Sequence, residues 1–481
     1  MQTLIALAGQ SSQPLTARRL AGGLAAILFA ASVWYGLPQL DAVARSALII
    51  YGLAVGAWVW SPLEETTVAL TALLALALTG VISSESMFHS LGNSLIGLLL
   101  AAFIVAAAAN ATGLCQWLVT ALTRRARSVR QLCYGLTAAN LITALFIPAT
   151  SARAALMAPV FLALSKQLHQ PRLSKALALV LPTAILLTAA ASLTGAGAHL
   201  LTADLIVQFG GERLDFLRWL MLGLPFALIS SFLSTEVILQ LFLTAEERRR
   251  TVVVENARPA DRPPQPLLDE SARYVLSIIG VMVAFWATSS LHGLDNTLVA
   301  VLGALAVTWP GLGPISLKQG LKAVEWNLLI FMAATLELSE SLIQTGAAAE
   351  LARTLFTALE TRLAGSPLLL AGGVAIIGLL SHLLITSRSA RATILIPAVI
   401  LFALSLGYEP TALAFSAALA SGYCLTLTVS AKPVALFAQL PAATYGPRDL
   451  LRLSGALLPL HLGLLLLFSW LIWPALGLKL T

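Results

Sequence analysis

Charge is what this chain has least of: Asp, Glu, Lys and Arg make up 11% of its 481 residues, against 58% hydrophobic ones. Together with a mean hydropathy of +0.88, that scarcity excludes a water-soluble fold, because soluble domains carry about a quarter charged residues. The chain reads as an all-α polytopic membrane protein in a lipid bilayer. Cysteine is almost missing as well. Cys115, Cys133 and Cys424 sit in apolar surroundings, with no spacing for a disulfide framework or a metal-ligand set. No His-Glu-x-x-His motif, no Gly-x-Ser-x-Gly motif and no paired aspartates within a span occur, so the expectation is a protein that is not an enzyme and carries neither cofactor nor metal. The net charge of +7 lies in short connections without basic-aromatic motifs, so it reports membrane topology and not a nucleic-acid partner.

What the chain does have is a series of long apolar segments. The first 17 residues lack a basic n-region and Arg18-Arg19 precede the apolar run 20–37, which reads as a retained first span with a cytoplasmic N terminus. Spans follow at about 46–60 and 64–82, and a fourth segment, 93–122, ends in Arg124, Arg125, Arg127 and Arg130, marking a cytoplasmic loop. The apolar stretch 131–165 would be roughly 50 Å long as one helix, against about 30 Å of hydrocarbon. It has to break, at Pro148 and Thr150-Ser151, and with basic residues at both ends it should enter and turn back. Segment 176–209 contains Ser192-Leu193-Thr194-Gly195-Ala196-Gly197-Ala198-His199, a poor helix that suits an interrupted span.

Residues 244–271, rich in charge and in proline (Pro259, Pro263, Pro264, Pro266), read as a cytoplasmic linker. Beyond it the plan repeats: spans at 272–290, 295–310 and 326–345, a second over-long segment 366–406 broken at Thr386 to Ser389, an interrupted segment 411–440 around Thr428, Ser430, Lys432 and Pro433, and a last span at 455–475. The expected organisation is an N-terminal segment 1–44, a first repeat 45–243, the linker, and a second repeat 272–481. That makes about 11 transmembrane helices in two inverted repeats, each with a re-entrant hairpin and a broken helix.

Both hairpins carry the same tetrapeptide. Ser151-Ala152-Arg153-Ala154 is followed by Pro159, and Ser389-Ala390-Arg391-Ala392 by Pro397, with the same gap. An ionisable residue in the middle of an apolar segment points to a functional site unless it snorkels to the interface. An anion needs donors and positive potential, which a helix starting at mid-membrane supplies through free N–H groups and its dipole. Thr150, Ser151, Ser387 and Ser389 could cap or donate there, and the planar fork of Arg153 or Arg391 suits a carboxylate or sulfate. With Arg388 and Lys432, four cations lie at depth, each costing about 2.5–3.5 kcal/mol if left facing lipid. A doubly charged substrate would compensate part of this, with Glu337 or Glu340 supplying more.

The order of segments, Phe285-Trp286 with His292-Gly293, Glu325-Trp326-Asn327, and Ile147-Pro148 with Ala152-Arg153 resemble the divalent-anion/sodium symporter family of the ion-transporter superfamily over roughly residues 45–475. The first hairpin tip is partly like the plastid dicarboxylate exchangers. The resemblance implies a secondary transporter of dicarboxylates such as succinate or malate, or of sulfate, working as a homodimer that moves a transport domain against a scaffold in a bacterial inner membrane. The family has Ser-Asn-Thr at each tip, whereas this chain has Ala149-Thr150-Ser151 and Ser387-Arg388-Ser389, without the asparagines that help to hold sodium.

The expected substrate site is therefore Thr150, Ser151, Arg153, Ser387, Arg388, Ser389, Arg391, Thr428, Ser430, Lys432 and Pro433. Arg388 is expected to replace a bound sodium ion, leaving coupling to protons or exchange, with Thr194, Gly195, Gly197, His199, Glu337 and His382 as candidates. Arg153→Ala and Arg391→Ala are expected to abolish transport in a folded protein. The alternatives are a sodium-coupled symporter, a cation/proton antiporter or arsenite-type carrier of the same superfamily, and a channel.

Overall fold

The computed structural model describes residues 14–61, 63–251, 268–350 and 366–480. Pro62, which opens the third apolar segment in the sequence, and the proline-rich part of the expected linker lie outside the described residues. The rest is helical: α1 (Pro14–Gly36), α2 (Ala42–Trp60), α3 (Glu65–Leu78), α4 (Ser94–Ala111), α5 (Leu114–Thr123), α6 (Val129–Thr143), α7 (Thr150–Leu168), α8 (Pro171–Thr188), α9 (Gly197–Gln208) and α10 (Phe216–Phe242) form the first part. The second comprises α11 (Glu270–Ala287), α12 (Asn296–Val307), α13 (Leu317–Lys322), α14 (Trp326–Gln344), α15 (Pro367–Leu380), α16 (Arg388–Ser405), α17 (Pro410–Ser421), α18 (Lys432–Ala438) and α19 (Pro447–Leu467). Among the described residues, eight helical stretches are long and apolar enough to cross a membrane, and shorter apolar helices accompany them. The chain is a multi-pass integral membrane protein.

Both expected hairpins are present, and they break for different reasons. In the first, Pro148 has no N–H to continue a helix and disfavours helical backbone at Ile147, so α6 stops at Thr143 and α7 restarts at Thr150. The second tip contains no proline. There the chain tightens into a 3₁₀ turn over Ser381–Leu383, and Ser387 caps the new helix by accepting from the amide of Ala390 at 3.3 Å. The two ends of the first hairpin meet the same short segment: Ser128 bridges Thr251, and Arg172, just after α7, pairs with Glu247 at 3.5 Å. That fixes it as a segment that turns back.

The broken spans also hold. After α8 the chain makes two 3₁₀ turns, Ala189–Ala191 and Leu193–Gly195, and α9 begins at Gly197. A Cβ on Gly195 would strike the carbonyl of Ala189, so this turn needs glycine. Segment 93–122, expected to be one span, is two helices instead. Gly113, at φ 70, turns the chain between α4 and α5 where a side chain would be strained.

Contacts repeat with the halves exchanged. α2 packs on α3 as α11 packs on α12, and α3 lies against α14 as α12 lies against α4. α7 packs on α8 as α16 packs on α17. The parts beyond each break cross over: α9 packs on α16 and α18 packs on α7, so each half completes the hairpin of the other. In their most apolar 18-residue windows, 94% of Pro171–Ala191 is buried against 28% of α2 and of α11, so the first broken helix lies in the interior and the latter two lie at the outside.

Candidate functional site

The two tips and the two breaks enclose one cavity of about 910 Å³. Ala149–Ser151 at the start of α7, Ala196–Ala198 at the start of α9, Ser387–Ala390 at the start of α16 and Ala431–Pro433 at the start of the shorter α18 all line it. No side chain caps α7, α9 or α18, which leaves first-turn amides of α7 and α9 available to whatever fills the space, although the His199 amide is taken by the carbonyl of Ala196 and Pro433 offers none in α18. Converging helix N-termini give the cavity a positive potential before any charged side chain is counted.

Arg153 and Arg391 do not line it, contrary to the expectation from their repeated motif. Both are fully buried behind the tips, and their Nη donors go to protein groups while each Nε is left without a partner. Arg153 Nη1 donates to the carbonyl of Asn140 at 3.3 Å and to Thr188 Oγ1 at 3.1 Å, and Nη2 donates to the carbonyl of Gly195 at 3.2 Å. Arg391 Nη1 donates to the carbonyls of Ile385 at 2.6 Å and Thr386 at 3.2 Å, and Nη2 reaches the carbonyl of Ser421 at 3.1 Å and Cys424 Sγ at 2.6 Å. Interrupting a helix inside a membrane orphans carbonyls, and each arginine gathers those of its own hairpin and its own broken helix. They are brackets.

The charge that reaches the cavity is Arg388, the first residue of α16, with Lys432 at the start of α18. Arg388 Nη2 lies 2.7 Å from His199 Nε2, while its Nε and Nη1 are buried without a hydrogen-bond partner. A guanidinium only donates, so Nε2 is the lone-pair nitrogen of His199 and Nδ1 donates to the carbonyl of Ser192, 3.1 Å away. The neutral ring stacks on Trp219 at 4.9 Å. Arg388 lies close against Gly422, where a Cβ would come within 2.5 Å of Nη2.

Of the acidic residues on the cavity wall, Glu325 figured in the sequence only within the Glu325-Trp326-Asn327 resemblance, and Glu64 and Glu65 carried no signal, because they sit at a segment end where charge is ordinary. Glu64, Glu65 and Glu325 line it together with Asn327. Glu325 Oε1 accepts from Ser151 Oγ at 2.6 Å, tying the first tip to the start of α14, and Glu64 Oε1 accepts from Asn327 Nδ2 at 2.8 Å.

The remaining expected residues divide. Thr150, Ser151, Ser387, Ser389, Gly197 and Pro433 line the cavity. Thr194 is buried outside its lining, 2.8 Å from Ser192 Oγ, and Gly195 contributes only the carbonyl held by Arg153. Ser430 is buried and accepts from the amide of Leu427 at 3.0 Å, and Thr428 is not in the lining. Glu337 accepts from Ser90 Oγ at 2.7 Å, and Glu340 accepts from Gln344, so neither compensates the tips as expected. His382 belongs to a separate buried chain, with Nε2 2.8 Å from Thr426 Oγ1, which lies 2.7 Å from Ser454 Oγ.

Comparisons with known proteins agree on the class of molecule. The profile of the citrate transporter (CitMHS) family matches residues 55–420. A membrane protein of Cupriavidus necator is 25% identical over 414 residues, covering 81% of this chain and 80% of the relative. YflS of Bacillus subtilis, whose name assigns it provisionally to malate transport, is 24% identical over 332 residues, covering 65% of this chain and 67% of the relative. The crystal structure of the YdaH transporter of Alcanivorax borkumensis, described as having an unusual topology, aligns with a TM-score of 0.53 at 18% identity, over 84% of this chain and 88% of that one.

Proposed function

Since the chain belongs to the citrate transporter family, we propose that it is a secondary carrier of small di- and tricarboxylates, bound between the two hairpin tips. The observation that carries this reading is the convergence of uncapped helix starts with Arg388 and Lys432 on one cavity. A carboxylate group of the substrate pairs with the guanidinium of Arg388, which lines the cavity. Thr150, Ser151, Ser387 and Ser389 donate hydroxyls, and Lys432 balances the second negative charge. Sulfate has the same charge and acceptor pattern and is the inorganic alternative.

Arg388 fills a place at the second tip where the resembling symporters hold a cation, so transport is sodium-independent and runs on protons or on exchange. A buried broken helix against outlying helices suits an elevator motion in a homodimer of the bacterial inner membrane, with the N terminus on the cytoplasmic side. The test is counterflow in proteoliposomes against succinate, malate, citrate and sulfate at varied sodium. Saturable counterflow of the carboxylates without dependence on sodium is expected. A steep rise with sodium removes the role given to Arg388, and counterflow with sulfate alone replaces the substrate class.

A further inference from the structure

Of the three carboxylates on the cavity wall, two are engaged, Glu325 by Ser151 and Glu64 by Asn327. Glu65 is the exception. Its Oε2 is shut off from solvent and has no hydrogen-bond partner, a costly position for a charged oxygen. The cations that act on it are Lys432 at the start of α18 and Arg391 in α16, neither of them within 4 Å as an ion pair, and the other carboxylates are Glu64 beside it and Glu325 before α14. From α2 the uncharged Trp58 approaches, its Nε1 donating to the carbonyl of Glu65 at 3.1 Å. Among these, Lys432 is the cation that also faces the cavity.

We propose that Glu65 carries the proton that travels with the anion, and that Lys432 links the two. The proposal rests on the carrier reading above. In the empty site the ammonium of Lys432 stabilises the Glu65 carboxylate. An arriving carboxylate substrate takes Lys432 as its own counter-charge, the support for an ionised Glu65 falls, and its carboxylate takes one proton from water in the open cavity to become a neutral acid. When the anion leaves on the other side, Lys432 returns to Glu65 and the proton is released there. Binding of anion and proton is thus mutually favourable, as linkage requires. His199, the more obvious titratable neighbour, is already committed as the acceptor for Arg388.

The experiment uses the purified full chain in liposomes, with malate as the probe and a pH dye in the lumen. In the unsubstituted protein the malate concentration for half-maximal counterflow should rise about tenfold from acid to neutral pH, a coupling of ordinary size, and malate influx should acidify the lumen. Glu65→Gln, which imitates the protonated acid, should abolish both the pH dependence and the acidification while malate-for-malate counterflow continues. Glu64→Gln should retain the pH dependence. Glu65→Gln that behaves like the unsubstituted protein overturns the proposal. If that variant gives no counterflow, Glu65→Asp decides: a displaced pH dependence supports the assignment and an unmoved one overturns it. Counterflow in the unsubstituted protein that ignores pH overturns the proton proposal alone. Absence of counterflow with any carboxylate takes down the carrier reading, and this proposal with it.

Discussion

The two hairpin tips carry the same four residues and do the same structural work, yet only one of them puts charge into the cavity. Aligned on Ser-Ala-Arg-Ala, Thr150 of the first tip stands where Arg388 stands in the second, and Ala149 stands where Ser387 does. The repeated arginines, Arg153 and Arg391, both point backwards into their own half and hold carbonyls. The unrepeated Arg388 lines the cavity and holds no carbonyl, its one side-chain partner being His199. In this duplicated chain, what recurs is scaffolding and what differs is chemistry.

Substitution separates the two kinds of arginine. The largest loss should follow Arg153→Ala or Arg391→Ala. Each strands several buried acceptors at about 1–3 kcal/mol apiece, which approaches the stability of a whole domain, so a sharply lowered melting temperature in detergent is expected. A variant as stable as the parent but inactive would return these arginines to the substrate site. Arg388→Thr, which gives the second tip the residue of the first, should leave the melting temperature unchanged or raised. Half-saturation for malate should rise about a hundredfold, since removing one partner of a desolvated charge pair costs roughly 2–5 kcal/mol. The smallest change is expected for His199→Phe, which keeps the stacking on Trp219 but removes the acceptor for Arg388. The guanidinium is then less firmly aimed, and half-saturation should rise about tenfold, the worth of one charge-assisted hydrogen bond. Unaltered transport in that variant would show that Arg388 is positioned by other contacts.

Much of the architecture was readable in the sequence, because membrane thickness turns length into topology: segments too long to cross had to break, and Pro148 and Gly195 marked where. The split at Gly113 leaves no mark in hydropathy, because the apolar character of 93–122 continues straight through it. The site was legible only in part. Hydropathy shows that a charge lies deep but not what it faces, so Arg153 and Arg391 looked like anion ligands when the orphaned carbonyls of their own breaks were the partner. Glu64 and Glu65 were silent for the converse reason. A charge at the end of a span is ordinary by composition, and only the fold brings those ends down to the tips.

The exchange of partners beyond the breaks also bears on how the molecule is made. Because α18 packs on α7, the first hairpin leaves the ribosome long before the helix that completes it exists. Contacts so distant along the chain form slowly, so the hairpin has to wait in the bilayer half-dressed while most of the remaining protein is synthesised. A truncated product lacking the last spans should therefore be a target for membrane proteases, and neither half expressed by itself can be a miniature version of the whole.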